Sequence, residues 1–232
     1  MNKNWWSASA ARIDMYDKKA ILHDLYDRLY KAFGPRHWWP GDSPFEVVVG
    51  AILTQNTAWR NVKKAIGNLK AGNLLAPDIL YDLPVQDLAT VIRSAGYYNI
   101  KARRLKHFIE FLFRESGGDL DRLLARDLGA LRNELLAVNG IGPETADSIL
   151  LYAGDKPTFV VDTYTKRILF RHGLMPEEAS YDEVRDYFLD SLVPDVAMFN
   201  EYHALLVHLG HTFCVKRNPK CEKCPAMGWN DE

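Results

Sequence analysis

The stretch Leu135-Leu136-Ala137-Val138-Asn139-Gly140-Ile141-Gly142-Pro143-Glu144-Thr145-Ala146-Asp147 decides how this chain is read. Leu128, Leu131, Leu135 and Leu136 lead into the turn, and Ile149, Leu150 and Ala153 lead out of it, both at helical spacing. Two glycines separated by one residue allow a tight turn with positive φ and the close approach of another backbone. Pro143 then opens the second helix, where its missing N–H costs nothing. A helix starting on such a turn aims its N–H groups and its positive end at one spot, which suits an anion such as a phosphate diester. The G-x-G pair alone describes an ordinary helix corner equally well, and it is the longer string that narrows the reading. Further on, Phe159-Val160-Val161 runs into Asp162, and Thr163 stands where it would cap the helix that follows. The plain alternative is that Asp162 is itself only an N-cap.

Outward from this hairpin the helical period holds almost throughout. Ile21, Leu22, Leu25 and Leu29 share one face, and Gly34-Pro35 ends that helix. His37 to Asp42 reads as a loop by its proline and glycine. Ser43-Pro44-Phe45-Glu46 is a capping box with proline at the first helical position. It launches Phe45 to Leu53, apolar on nearly all sides, the pattern of a buried central helix. Gln55-Asn56-Thr57 breaks that helix and is expected to cap the next, which carries Trp59, Val62, Ile66 and Leu69. Leu88, Val91 and Ile92 define another, ended by Gly96, with a turn at Tyr97-Tyr98-Asn99. Ala102, Leu105, Phe108, Ile109 and Leu112 define a long one. Three more are expected over Tyr164 to Arg171, Tyr181 to Leu192 and Asn200 to Leu209. Thr158 to Val161 is the only strand candidate, so the chain is all-α.

With 232 residues, 47% of them hydrophobic, the chain can build one large or two modest domains. Its formal net charge of −1 does not advertise a polyanionic partner. Contact with nucleic acid would have to come from local patches or oriented backbone dipoles. No apolar run has the length of a membrane span, and the opening MNKNWWSASAARIDMYDKK lacks the apolar core of a signal peptide. The expectation is a cytoplasmic monomer without a membrane partner. Trp5 and Trp6 belong either to an arm packed on the body or to a tail. Three cysteines, Cys214, Cys221 and Cys224, fall in the last nineteen residues. An odd, clustered set in such a chain argues for metal binding over disulfides.

The string LLAVNGIGPETAD resembles the helix-hairpin-helix element that grips the DNA backbone. An Asp after an apolar run at this spacing resembles the catalytic Asp of the endonuclease III-like DNA glycosylases. The likeness runs from about Phe45 to Cys224. WWP, QNT-x-aromatic and GxGPET together are similar to the 3-methyladenine DNA glycosylase III branch of that superfamily. The resemblance implies a two-lobed all-α fold, with a central six-helix barrel bearing the hairpin over 36–156 and a second lobe from 1–35 plus 157–232. It implies double-stranded DNA with a damaged base as partner, a base flipped out of the stack, and Asp162 as the catalytic carboxylate. Strand-cutting members carry a lysine nucleophile where this chain has Glu144. A carboxylate forms no imine, so the implied activity is monofunctional excision of an alkylated base, 3-methyladenine-like. Two alternatives stand beside it: a bifunctional glycosylase and lyase acting on oxidised pyrimidines, and a non-catalytic DNA-binding protein.

The same resemblance distributes the remaining roles. Trp38, Trp39 and Trp59 would stack on the extruded base, a cation–π contact if the base is charged; each indole alone reads equally as a lid on the core. Gln55 would enter the gap left in the duplex, with Tyr97 as a wedge, the plain alternative for either being a helix-end residue. Asn56, Asn139, Gly140, Gly142 and Thr145 would meet the DNA, and Lys101, Arg103 and Arg104 its phosphates; a solvated basic helix face reads as well for these three. The pattern Cys214-x6-Cys221-x2-Cys224 matches the first three ligands of the family's [4Fe–4S] loop, whose fourth position here is Asn230. Three readings follow: a cluster completed by Asn230, Asp231 or an outside ligand, a zinc on three thiolates plus His or Asp, or a metal-free loop held by packing. The chemistry itself requires no cofactor. Lys216, Arg217 and Lys220 make the loop basic.

Overall fold

The structure, a computed structural model, describes the chain from residue 15 to residue 229, with side chains from residue 18. Trp5, Trp6, Asn230 and Asp231 lie outside these residues. Twelve α-helices and no strand are present among them. In chain order they are α1 (Met15–Phe33), α2 (Pro44–Leu53), α3 (Trp59–Ala71), α4 (Pro77–Asp82), α5 (Val85–Val91), α6 (Tyr98–Ser116), α7 (Leu120–Leu124), α8 (Leu128–Leu136), α9 (Pro143–Ser148), α10 (Thr163–Arg171), α11 (Tyr181–Ser191) and α12 (Val196–Thr212). A 3₁₀ turn, Arg93–Ala95, precedes α6, and a π turn, Ile149–Ala153, prolongs α9. No described helix is long and apolar enough to cross a membrane.

The chain divides into two compact units, one spanning His37–Val160 and one built from the described residues up to Arg36 and from Val161 onward. In the first, α2 is the hub. Ser43 Oγ accepts the Glu46 N–H at 3.2 Å, and Pro44 stands at the first helical position. Glu46 completes the cap on Asp42, whose N–H it accepts, and Lys70 pairs with both carboxylates. Every residue from Phe45 to Leu53 is buried. Around α2 pack α3, α6, α9 and the π turn, closing a core with Leu105, Phe108, Ile109, Leu135 and Ile149. The all-round apolar character of α2 is the consequence of having neighbours on every side.

In the second unit α12 is the hub, packed by α1 and α10. Tyr202, fully buried, donates to the carbonyl of Leu22. Gly210 lets α10 come close, since a Cβ there would sit 2.5 Å from Tyr164 Cβ. Thr158 to Val161 is extended and buried, but forms no strand among the described residues. With no strand assigned among the described residues, the apolar run marks burial and not sheet pairing.

One buried ion pair fixes the hairpin. Arg132 of α8 grips Asp147 of α9 through Nε and Nη2, at 3.0 Å to Oδ1 and 3.1 Å to Oδ2. The hydroxyl of Thr158 donates to the same carboxylate at 2.8 Å. Asp147 is wholly buried, so these partners hold together both hairpin helices and the run that leads to Val161. Removing one member of such a pair strands the other charge. Asp147→Ala is therefore expected to lower the unfolding free energy by about 3 to 5 kcal/mol, measured in urea; a loss under about 1 kcal/mol, the level of an exposed pair, would contradict this account.

Candidate active site

Asp162 is the N-cap of α10, and Thr163 is the first residue of the helix. The expectation that Thr163 caps is corrected: the cap is the aspartate, whose Oδ1 accepts from Thr165 N at 2.7 Å and from Thr165 Oγ1 at 2.9 Å. Capping and a chemical role are compatible, because they use different oxygens. Oδ2 takes no hydrogen bond from the described residues and lies 3.8 Å from Nε2 of His203. His203 projects from α12, buried, and burial pulls its imidazole below the usual range, with Asp162 acting weakly the other way. Burial thus favours the neutral imidazole. Nothing in the sequence drew attention to His203, one of three histidines in α12. Tyr181 accepts the N–H of Val161 at 3.3 Å, which fixes the residue before the carboxylate.

In the hairpin, Gly140 alone of the two glycines has positive φ, +92°, and a Cβ there would lie 2.3 Å from Arg104 Cγ. Gly142 has φ −94° and extended backbone, and a Cβ there would meet nothing within 4 Å. Its bareness serves no internal packing and leaves the start of α9 open to approach. Glu144 is the second residue of α9 and exposed, where a carboxylate suits the positive helix end. Asn139 is exposed, its carbonyl 3.1 Å from His107 Nδ1. Thr145 faces inward: it is buried and accepts from Gln55 Nε2 at 2.9 Å. Its hydroxyl is therefore taken up inside the protein. Gln55 Nε2 also donates to the carbonyl of Gly140 at 3.0 Å, and Gln55 Oε1 accepts from Arg104. The Gln55 turn is thereby tied to the hairpin. Thr57 does not cap α3, whose N-cap is Ala58 with no side-chain bond. Asn56 and Tyr97 both adopt left-handed backbone, φ +52° and +44°, and Tyr97 is 70% exposed.

Lys101 departs furthest from its expected place. It lies in the first turn of α6 with 1% exposure, its ammonium donating to the carbonyls of Leu53 at 2.8 Å and Ala95 at 2.7 Å. It is an internal clamp and not a phosphate contact; a helix that ends inside a protein needs donors for its last carbonyls. Arg104 is likewise spent on Gln55, while Arg103 is exposed.

Trp38, Trp39 and Trp59 come together. Ring centroids are 4.8 Å apart for Trp38 and Trp39, and 5.0 Å for each of these with Trp59, in tilted and edge-on geometry. Tyr152, from the π turn, joins at 5.3 Å from Trp39. All four are partly exposed. The indole of Trp39 occupies the space that a Cβ at Gly50 would need, and its N–H has no hydrogen-bond acceptor among the described residues.

The cysteines form a loop with different tethers. Cys214 is buried, Cys221 exposed and Cys224 between; burial pushes the Cys224 thiol up, with Cys214 and Cys221 adding to it. Arg171 donates to Cys214 Sγ at 3.3 Å and to the carbonyls of Val215 and Lys216, and Arg167 to those of Cys214 and Gly210. Trp229 closes the loop onto α1 through Ile21 O at 2.9 Å. Clusters are normally held by four thiolates; this chain offers three, and the described residues contain no group of three or more His, Cys, Asp or Glu arranged to hold a metal ion. The donor set does not fit a four-thiolate cluster.

Two outcomes are expected from these contacts. Burial, with the charge of Arg104, pulls the Lys101 amine down to about 8, whereas an unfolded lysine titrates near ~10.4. Between these values the unfolded chain holds a proton that the folded chain has released, so stability rises with pH there, by roughly 1 kcal/mol per pH unit. Urea unfolding from pH 8 to 10 is expected to show this slope in the wild type beyond that of Lys101→Met; equal slopes would refute burial of the charge. Gly50→Ala gains helix propensity, about 1 kcal/mol, but sets a methyl 3.0 Å from Trp39 Cζ2. Near-ultraviolet circular dichroism is expected to change while the far-ultraviolet signal does not, and an unaltered aromatic signal would contradict the packing of Trp39 on α2.

Known proteins bear on these features directly. Residues 49–194 match the model of the HhH-GPD superfamily base excision DNA repair proteins. A putative DNA repair glycosylase of Methanocaldococcus jannaschii is 44% identical over 90% of this chain and 95% of its own length. An endonuclease III of Sulfolobus acidocaldarius is 30% identical over 78% of each chain. Among solved structures, the H. pylori 3-methyladenine DNA glycosylase (MagIII) bound to 1,N6-ethenoadenine superposes with a TM-score of 0.70 at 28% identity, covering 86% of this chain and 98% of that one. A non-covalent endonuclease III–DNA complex shares the fold, with a TM-score of 0.78 at 24% identity over 91% and 94% of the two chains. With its glycine hairpin and a helix-capping aspartate following it, this chain belongs to the HhH-GPD superfamily of base excision DNA repair glycosylases.

Proposed function

We propose that this protein is a monofunctional glycosylase that removes an alkylated, cationic base such as 3-methyladenine from double-stranded DNA. The observation that carries the reading is the carboxylate at position 144. An amine there would attack C1′ and form an imine; Glu144 has no nitrogen to do so. Water is then the nucleophile. As the glycosidic bond breaks, its electron pair leaves with the base, neutralising the base's positive charge, and the sugar develops oxocarbenium character. Oδ2 of Asp162, uncommitted by the cap, stabilises that charge and accepts a proton from the attacking water. The cap keeps Oδ1 and the rotamer fixed, so little reorganisation accompanies the step.

The Trp38, Trp39, Trp59 and Tyr152 cluster supports the choice of substrate. Electron-rich rings attract a flat cation by about 1 kcal/mol, and more when water is excluded. Similarity to an enzyme named for 3-methyladenine, solved with an ethenoadenine, points the same way. Tyr97 enters the duplex, Gln55 enters it on releasing Gly140, Thr145 and Arg104, and the open backbone at Gly142 receives a phosphate. No step of this reaction calls on the cysteine loop, which Arg167 and Arg171 hold in shape.

Duplexes carrying 3-methyladenine, thymine glycol or uracil distinguish the readings. Strand breaks are expected only after alkali, and only from the alkylated duplex. Asp162→Asn keeps a good N-cap and is expected to slow excision roughly 100-fold or more. Trapping of wild-type protein on DNA by borohydride would establish the bifunctional alternative, and intact binding without release of any base would establish the non-catalytic one.

A further inference from the structure

Three side chains spaced by three along α6 reach three separate turns. Lys101 takes the carbonyls of Leu53 and Ala95, Arg104 takes Gln55 and crosses Gly140, and His107 meets the carbonyl of Asn139. Lys101 is the one that joins two turns through a single atom. Leu53 is the last residue of α2, two before Gln55. Ala95 closes the 3₁₀ turn, two before Tyr97. Both carbonyls sit where intrahelical donors have run out, and that of Leu53 carries the negative end of α2. An apolar side chain would fill this space without the penalty of burying an ammonium. The charge is kept at a position where its only described partners are these two carbonyls.

We propose that Lys101 is a positioning residue for base extrusion: one ammonium fixes the Gln55 turn against the Tyr97 turn, so that both enter the duplex as one body. The inference rests on the reading that Gln55 and Tyr97 insert into DNA. Left-handed backbone at Asn56 and at Tyr97 sets how each turn projects, and Lys101 sets the spacing between them. The Lys101 ammonium is hydrogen-bonded to neither inserting side chain, and holds both turns by the carbonyls of Leu53 and Ala95.

The test compares single-turnover excision from a paired duplex with excision of the same lesion opposite an abasic site, where extrusion is already easy. Lys101→Met is expected to slow the paired substrate roughly 10- to 100-fold, the scale of a small misplacement, and the unpaired substrate by less than about threefold. A 2-aminopurine beside the lesion is expected to lose its extrusion signal in the variant. Equal losses on both substrates, or none on either, would overturn the proposal. Should Lys101→Met not fold, Lys101→Gln keeps a donor for one carbonyl and carries the same comparison. Amide hydrogen exchange on the wild type decides it without any variant: the amides of residues 54–57 and 96–98 are expected to open together, and independent opening would refute the clamp. Gln55→Ala and Tyr97→Ala separate the two failures. If these lose nothing on the paired duplex, the insertion reading falls; if they lose activity and Lys101→Met does not, the clamp falls.

Discussion

A helix that ends inside a protein must find donors for its last carbonyls, and α2 ends inside its unit. Much of the candidate machinery is arranged by how that requirement is met. Lys101 answers it for Leu53 and, with the same ammonium, for Ala95. The turns released beyond those two points carry Gln55 and Tyr97. Gln55 in turn reaches across to Gly140 and Thr145, so the hairpin inherits its position from the end of the buried helix.

Helix starts supply the complementary half. Asp162 opens α10 and Glu144 sits in the first turn of α9, both carboxylates at positive helix ends. The one at 162 is divided between two tasks, with Oδ1 holding Thr165 and Oδ2 left uncommitted above a neutral His203. A capping aspartate is thus already fixed in direction before any substrate arrives, which is the condition for electrostatic stabilisation without reorganisation.

What the sequence disclosed and what it withheld divide along the range of the interactions. Ser43, Pro44 and Glu46 announce α2 because capping acts over three residues. The hairpin is legible for the same reason, and so is Asp162 as a residue of note. Thr163 was the wrong cap by one position, a difference that depends on which residue leaves the extended run. Lys101, Arg104 and Thr145 read as DNA contacts because their partners are 48, 49 and 90 residues away, invisible to any local pattern. Apolar Phe159-Val160-Val161 looked like a strand, yet burial alone accounts for it. His203 gave no signal, since its significance lies in facing Asp162 across 41 residues of sequence.

The inward turn of Lys101 belongs to a wider habit. Lys106 gives its ammonium to the carbonyls of Leu80, Tyr81 and Leu83, Lys166 to that of Ala179, and Arg167 and Arg171 to the cysteine loop. Cations fixed on backbone carbonyls are poorly placed to displace the ions condensed on a nucleic acid. Counterion release depends on the cations that still face outward, and not on the net charge of −1. Only the cations left exposed, Arg103 among them, stay available to a polyanion outside the protein.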